Sequence, residues 1–173
     1  TGLELKELSG HQCVFITHWK KLISLALELK GLLQCFHKNV MTINEVQESI
    51  IEEFSEFDEW MDKYDLLIEM GRDLPVIAPG FKTKDFLIEG CQSKVWLHPE
   101  YDGKKIRFTA DSDAIITKGI VALLIRVLSD RTPEEIISTD LYFIDKIGLR
   151  QNLSPTRSNG LLSMVRQIKL YAI

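Results

Sequence analysis

Apolar residues recur every three or four positions from Ile43 through Val46, Ile50, Phe54, Phe57, Met61 and Tyr64 to Ile68. That spacing predicts amphipathic helix, with a break near Ser55–Asp58. Thr42 followed by Glu45 is a capping box at its start, and Gly71 is a stop signal. The acids Glu48, Glu52, Glu53, Glu56, Asp58, Glu59 and Asp62 then fall on a solvated face. Pro75, Pro79 and Gly80 predict a loop over Asp73–Asp85. The period then changes. Phe86-Leu87-Ile88 reads as a short strand and Val95–His98 as a second. Asp102-Gly103 signals a hairpin turn. Ile106, Phe108 and Ala110 alternate with Arg107 and Thr109, as a strand with one buried face requires.

Helical patterns return afterwards. Asp111-Ser112-Asp113 offers an N-cap to Ala114–Leu128, a stretch apolar nearly all round, with Lys118 and Arg126 its only charges. Such a helix belongs at the centre of a core. Thr132-Pro133-Glu134-Glu135 is a second capping box, with proline at the first helical position. Asp140–Arg150 reads as a link. Ser154-Pro155 is expected to open a last helix by the same device, with Leu161, Leu162, Val165, Ile168 and Tyr171 as its apolar stripe. The order predicts an α+β domain over residues 41–173, with several helices packed on a small three-stranded antiparallel sheet.

Residues 1–40 stand apart as an extension. Trp19, Leu22, Ile23, Ala26, Leu29, Leu33 and Phe36 make an amphipathic helical pattern. It could dock on the body of the protein, on a second copy in a homodimer or on a partner, or lie upstream of the natural start. Glu28 and Lys30 interrupt its most apolar stretch, which argues against a membrane span and against a signal-peptide core.

Length and composition narrow the class. The 173 residues suffice for one domain with a real core, and 45% hydrophobic with 27% charged residues is a soluble globular profile. A net charge of -4 argues against nucleic-acid binding, which needs a basic face. Three cysteines, Cys13, Cys35 and Cys91, are too few for a disulfide scaffold and fit a reducing compartment, expected to be the cytoplasm. No phosphate-binding glycine loop, HExxH, GxSxG or dinucleotide fingerprint is present.

Cys91 is the one chemical signal. From Met41 onward it is the only cysteine. One thiol cannot supply the roughly four ligands of a zinc or iron–sulfur site, so no metal site is expected. It can act as a nucleophile or carry a group covalently; the plainer alternative is a buried structural thiol. Gly90 allows a sharp turn before it, and Gln92 and Ser93 are polar and turn-compatible. The residue thus sits in a connection at the edge of the sheet. His98, the only histidine after Met41, could assist it or simply fill a half-exposed strand position. Arg157 falls in the first turn of the last helix, where the helix dipole disfavours a cation. It is either a functional residue or half of a surface ion pair.

Three stretches together resemble the SufE family: Gly90-Cys91-Gln92-Ser93-Lys94-Val95-Trp96, then Asp111-Ser112-Asp113-Ala114 with Lys118-Gly119, then Ser154-Pro155-Thr156-Arg157-Ser158-Asn159-Gly160-Leu161. The resemblance spans residues 41–173, and residues 1–40 have no counterpart in it. It implies a fold like that of IscU-type scaffold proteins and a role as sulfur acceptor. A SufS-type cysteine desulfurase would hold sulfur as a persulfide, Cys91 would accept it by transpersulfidation, and a SufBCD-type scaffold complex would receive it for iron–sulfur cluster assembly. The pyridoxal phosphate belongs to the desulfurase, so no cofactor is expected on this chain. The resemblance places Arg157 near the cysteine and the desulfurase interface, and brings the Asp111–Asp113 turn close to the cysteine loop. Lys94 and Trp96 become candidate docking residues, although Trp96 equally suits sheet packing.

No histidine–carboxylate pair accompanies Cys91 in the sequence. The docked desulfurase is therefore expected to complete the site, with the free protein keeping Cys91 tucked against itself. That would shield a persulfide as well as a thiol. Competing readings are a non-catalytic allosteric activator of the desulfurase, a paralogue feeding another thiolation pathway, and a structural domain that assembles through residues 1–40.

Overall fold

The computed structural model describes residues 41–173, which form one unit. The helical pattern of residues 1–40, with Cys13 and Cys35, lies outside the described residues.

The first predicted helix is two: α1 (Ile43–Ser55) and α2 (Trp60–Arg72). The break falls where the sequence places it. Thr42 and Glu45 form the capping box in full: the threonine hydroxyl accepts from the Glu45 amide, and the glutamate carboxylate accepts from the Thr42 amide at 2.7 Å. Two turns of 3-10 helix, Pro79–Phe81 and Lys84–Phe86, punctuate the following loop. Strand β1 (Val95–Tyr101) pairs antiparallel with β2 (Ile106–Ser112), Val95 opposite Ser112 and Tyr101 opposite Ile106. Asp102 closes the hairpin, its carboxylate accepting from the amides of Lys104 and Lys105.

The sheet has two strands rather than the three expected. Leu87 makes a single antiparallel bridge to Trp96, and the Ile88 amide donates to the Val95 carbonyl at 2.8 Å. The run ends there because Gly90 turns the chain away with φ 84°. On the opposite edge Val76 makes one parallel bridge to Ala110. Both edges of the hairpin are thus covered by loop rather than by further strands, which blunts them against pairing with other chains.

Helix α3 (Ile115–Leu128) is the core helix expected from its composition, packing against α1, α2, β2 and the last helix. Its two charges are both neutralised. Lys118 pairs with Asp111 at 2.9 Å, and Arg126 pairs with Glu53 at 2.7 Å. Glu53 is therefore not merely on a solvated face; the guanidinium hydrogen bond holds its carboxyl below the usual range despite partial burial. Helix α4 (Pro133–Ser138) carries the second full capping box, Thr132 with Glu135. The predicted link contains two single-turn helices, α5 (Phe143–Lys146) and α6 (Leu149–Asn152).

Helix α7 (Pro155–Leu170) closes the domain with Leu161, Met164 and Ile168 in the core. Here the expected device is incomplete. Ser154 makes no capping bond to the backbone, and its hydroxyl meets Thr156 Oγ1 at 3.2 Å instead. The third helical position is Arg157, which cannot return the reciprocal acceptor that a glutamate would.

Candidate functional site: a single thiol held against a helix

Ile88 is buried, its amide tied to β1, so the chain is anchored up to this point. Gly90 then turns with positive φ, a conformation that costs an L residue about 1–2 kcal/mol. A Cβ at Gly90 would also meet Ser163 Oγ at 2.7 Å. The turn delivers Cys91 onto α7, where Gly160 leaves room for it. A Cβ at Gly160 would stand 3.4 Å from Cys91 Sγ.

Cys91 is partly buried and packs on the hydrophobic core. Its thiol donates to the Gly160 carbonyl at 3.6 Å. Burial pushes the thiol above its ordinary pKa. The sign follows: the seat favours the protonated form, so its stabilisation is intact below the ordinary thiol range and is lost as pH rises beyond it through the raised value. A small cavity of about 10 Å³ adjoins the sulfur, lined by Gln92, Ser93, Thr117, Ile120, Thr156, Arg157 and Met164. That is room for about one water molecule.

The structure therefore brings Cys91, Gln92, Ser93 and Arg157 together. Gln92 and Arg157 are exposed at the rim. Among the described residues Arg157 makes no ion pair.

Asp111 and Asp113 do not line the cavity, and neither caps α3. The residue before that helix is Ala114, and no side chain caps it. Both carboxylates have better-placed donors. Asp113 Oδ1 accepts from the Lys94 amide at 2.9 Å, while the Asp113 amide donates to the Lys94 carbonyl at 3.2 Å. Asp111 lies between Lys82 and Lys118. Burial would raise its carboxyl, but the two ammonium partners outweigh that and hold it below the usual value. The turn thus fastens the downstream end of the cysteine loop.

His98 is placed elsewhere. Its ring stacks on Phe81 at 3.8 Å and meets the Phe86 edge at 4.7 Å, so it clamps the preceding loop onto β1 and does not line the cysteine cavity. Trp96 is partly buried with Lys82 Nζ 6.0 Å from its ring, and Lys94 is exposed. Thr117, Gly160 and Met164 are site residues that sequence reasoning did not single out, although two of them adjoin or fall within the quoted motifs. Among the described residues no cluster of three His, Cys, Asp or Glu side chains could hold a metal ion.

Fold and site together define a small α+β domain built around one loop-borne thiol. The comparisons give it a family. Residues 48–172 match SufE, described as the Fe-S metabolism associated domain, and the chain belongs to that family. It is 39% identical over 127 residues to an uncharacterized SufE-like protein of Rhizobium meliloti, covering 70% of this chain and 91% of that one. It is 37% identical over 127 residues to SufE-like protein 1, chloroplastic/mitochondrial, of Arabidopsis thaliana, covering 73% of this chain and 34% of the plant protein. The solution structure of a hypothetical protein from Thermus thermophilus shares the fold, with a TM-score of 0.61 at 21% identity, over 73% of this chain and 93% of that one. The cytoplasmic location expected above does not follow from the family, since the Arabidopsis relative carries an organellar name. Among the described residues no helix is long and apolar enough to cross a membrane.

Proposed function

We propose that this protein is a sulfur acceptor for a SufS-type cysteine desulfurase and passes the sulfur to a SufBCD-type scaffold complex for iron–sulfur cluster assembly. The observation that carries the reading is the seat of Cys91. A single thiol is presented from a loop, beside an arginine with no ion pair among the described residues, in a domain of a family associated with Fe–S metabolism. The Cys91 thiolate attacks the outer sulfur of the desulfurase persulfide. A new S–S bond forms on Cys91, the old one breaks, and the partner's cysteine leaves with the electron pair. Removing the product sulfur frees the desulfurase for its next turnover, which is how this chain would stimulate it. It supplies the accepting thiol and needs no cofactor of its own, the pyridoxal phosphate being the desulfurase's. It is half of a sulfurtransferase, not an enzyme alone. Its compartment must be reducing, so that the free thiol is not lost to disulfide formation between transfers.

In the free protein the thiol is seated and protonated, which keeps a nucleophile from reacting before its partner arrives. Gln92 and Arg157, exposed at the rim, are the residues that meet the desulfurase. Asp113 holds the loop through Lys94 until then, while Asp111 ties the same turn to Lys82 and Lys118. Mixing the protein with desulfurase and free cysteine is expected to add sulfur, reversible by reductant and located on Cys91 by peptide mass. Sulfur gained only on Cys13 or Cys35, or none at all, overturns the reading.

The loop fastening makes its own prediction. Asp113→Ala removes the acceptor of the Lys94 amide. Because the carboxylate is exposed, the loss is about 1 kcal/mol, equivalent to a roughly fivefold rise in loop opening. Cys91 in the free variant should alkylate about fivefold faster at neutral pH, with the fold intact by circular dichroism. An unchanged rate would mean that Asp113 does not restrain the loop.

A further inference from the structure

The seat of Cys91 is built for a thiol and opposes the form that reacts. Its only hydrogen-bond partner among the described residues is the Gly160 carbonyl, an acceptor. A thiolate has no proton to give it, and the carbonyl lone pairs repel the negative sulfur. Charge on Cys91 therefore needs a donor elsewhere on the cavity wall.

Thr117 shows where. It is buried, 5% exposed, on the core helix α3. A helical hydroxyl ordinarily bonds back to a carbonyl of its own preceding turn, as Ser138 does here to Glu134 at 2.7 Å. Thr117 does not. Its hydroxyl reaches across to the cysteine loop and donates to Ser93 Oγ at 3.4 Å, a long contact that orients more than it stabilises. Because Ser93 Oγ is the acceptor in that contact, its own proton is left over, and no described residue accepts it. Both hydroxyls line the cavity beside the sulfur. The remaining hydroxyl on that wall, Thr156, is engaged with Ser154.

We propose that Ser93, oriented by Thr117, is a catalytic hydrogen-bond donor to the Cys91 sulfur as it becomes anionic, and that Thr117 is its positioning residue. This rests on the sulfur-acceptor reading for its purpose. In that reaction Cys91–SH and the partner's persulfide anion become a Cys91 persulfide anion and the partner's thiol. The sulfane sulfur moves without net oxidation or reduction. Ser93 transfers no proton. It donates to Cys91 Sγ once the thiol proton has left for solvent, and so replaces the Gly160 contact that the thiolate must give up. The charged groups around the sulfur are few. Arg157 faces it from α7; Lys118, next to Thr117, is bound to Asp111; Glu89 and Lys94 flank it within the loop.

The test is the pH profile of alkylation of Cys91 by iodoacetamide in the full chain, followed on the Cys91 peptide so that Cys13 and Cys35 do not contribute. Ser93→Ala should raise the midpoint by about one pH unit, the tenfold loss of thiolate expected for a missing donor to a charged group. Thr117→Val, which keeps the side-chain shape, should raise it by less. The double variant should match Ser93→Ala alone, because Thr117 acts through Ser93. Ser93→Thr, which keeps the hydroxyl, should restore the midpoint. A loop merely loosened by substitution would alkylate faster and move the midpoint down, toward that of an unburied thiol, and that result overturns the proposal. So do coincident midpoints for wild type and Ser93→Ala. The titration needs no partner, so it separates the two readings. A shifted midpoint with no sulfur loading would overturn the function and leave the donor. Normal loading with an unmoved midpoint would overturn the donor alone.

Discussion

Cys91→Ser is expected to abolish sulfur loading completely while leaving the domain folded. The loss is total because the reaction needs a polarizable nucleophile that can carry sulfane sulfur, and a serine hydroxyl is neither ionised near neutral pH nor able to hold the sulfur as a stable S–O adduct. The fold is spared because Cys91 is only partly buried and contributes one weak S–H···O contact. The substitution should cost no more than about 1 kcal/mol of stability. The rim residues Gln92 and Arg157 are untouched, so the variant should still bind the desulfurase and act as a competitor of the wild-type protein. Desulfurase turnover, measured as sulfide or alanine release with and without the variant, then decides between two roles. Failure to stimulate supports the carrier. Stimulation equal to that of wild type would show that the protein activates its partner by docking alone, and the carrier reading would fall.

The elements legible in the sequence are those specified by neighbours along the chain. Thr42 with Glu45, Thr132 with Glu135 and Asp102-Gly103 each satisfy their backbone groups within a few residues, so the pattern suffices to place them. The all-round apolarity of Ile115–Leu128 marks its central position because no other environment tolerates it. Several departures involve partners distant in sequence. Asp111 and Asp113 have the composition of a helix cap, but Lys82, Lys118 and the Lys94 amide compete for them from other elements. Phe86–Ile88 has strand propensity, but its pairing is cut to one bridge by the turn at Gly90. Gln47 interrupts the apolar face of α1 yet is fully buried, its amide shared between the Asp140 carbonyl and the Phe143 amide across the domain. The site divides in the same way. Cys91 is conspicuous as the lone thiol of residues 41–173. Gly160 and Thr117 matter only because α7 and α3 pass beside the loop, which no local pattern records.

Gly119→Ala should be the most damaging single-methyl change among the glycines of the domain. Helices α2 and α3 cross with their backbones in contact. A Cβ on Gly119 would overlap the Leu67 carbonyl oxygen outright and stand 2.7 Å from its carbon, while a Cβ on Gly71 would meet the Gly119 amide nitrogen at 3.0 Å. The obstacle at Gly119 is main chain, so no rotamer change relieves it, and the helices must separate. Separation opens a gap along Leu67, Ile120 and Leu123, all buried. Overpacking of this kind typically costs about 1–3 kcal/mol. With backbone as the obstacle the upper end or beyond is expected, about 3 kcal/mol against a total of roughly 5–15. That corresponds to a fall in Tm of about 10 °C. Alanine favours helix over glycine by about 1 kcal/mol, so a purely local account predicts the opposite sign. The same displacement would reach the site, because Thr117 and Lys118 sit on the turn of α3 that carries Gly119. A variant that is still folded at low temperature should therefore alkylate at Cys91 faster than wild type. Thermal melting with Gly80→Ala as control, where nothing lies within 4 Å of the added Cβ, isolates the crossing. Equal melting temperatures for the two variants would mean that the helices do not pack at this distance.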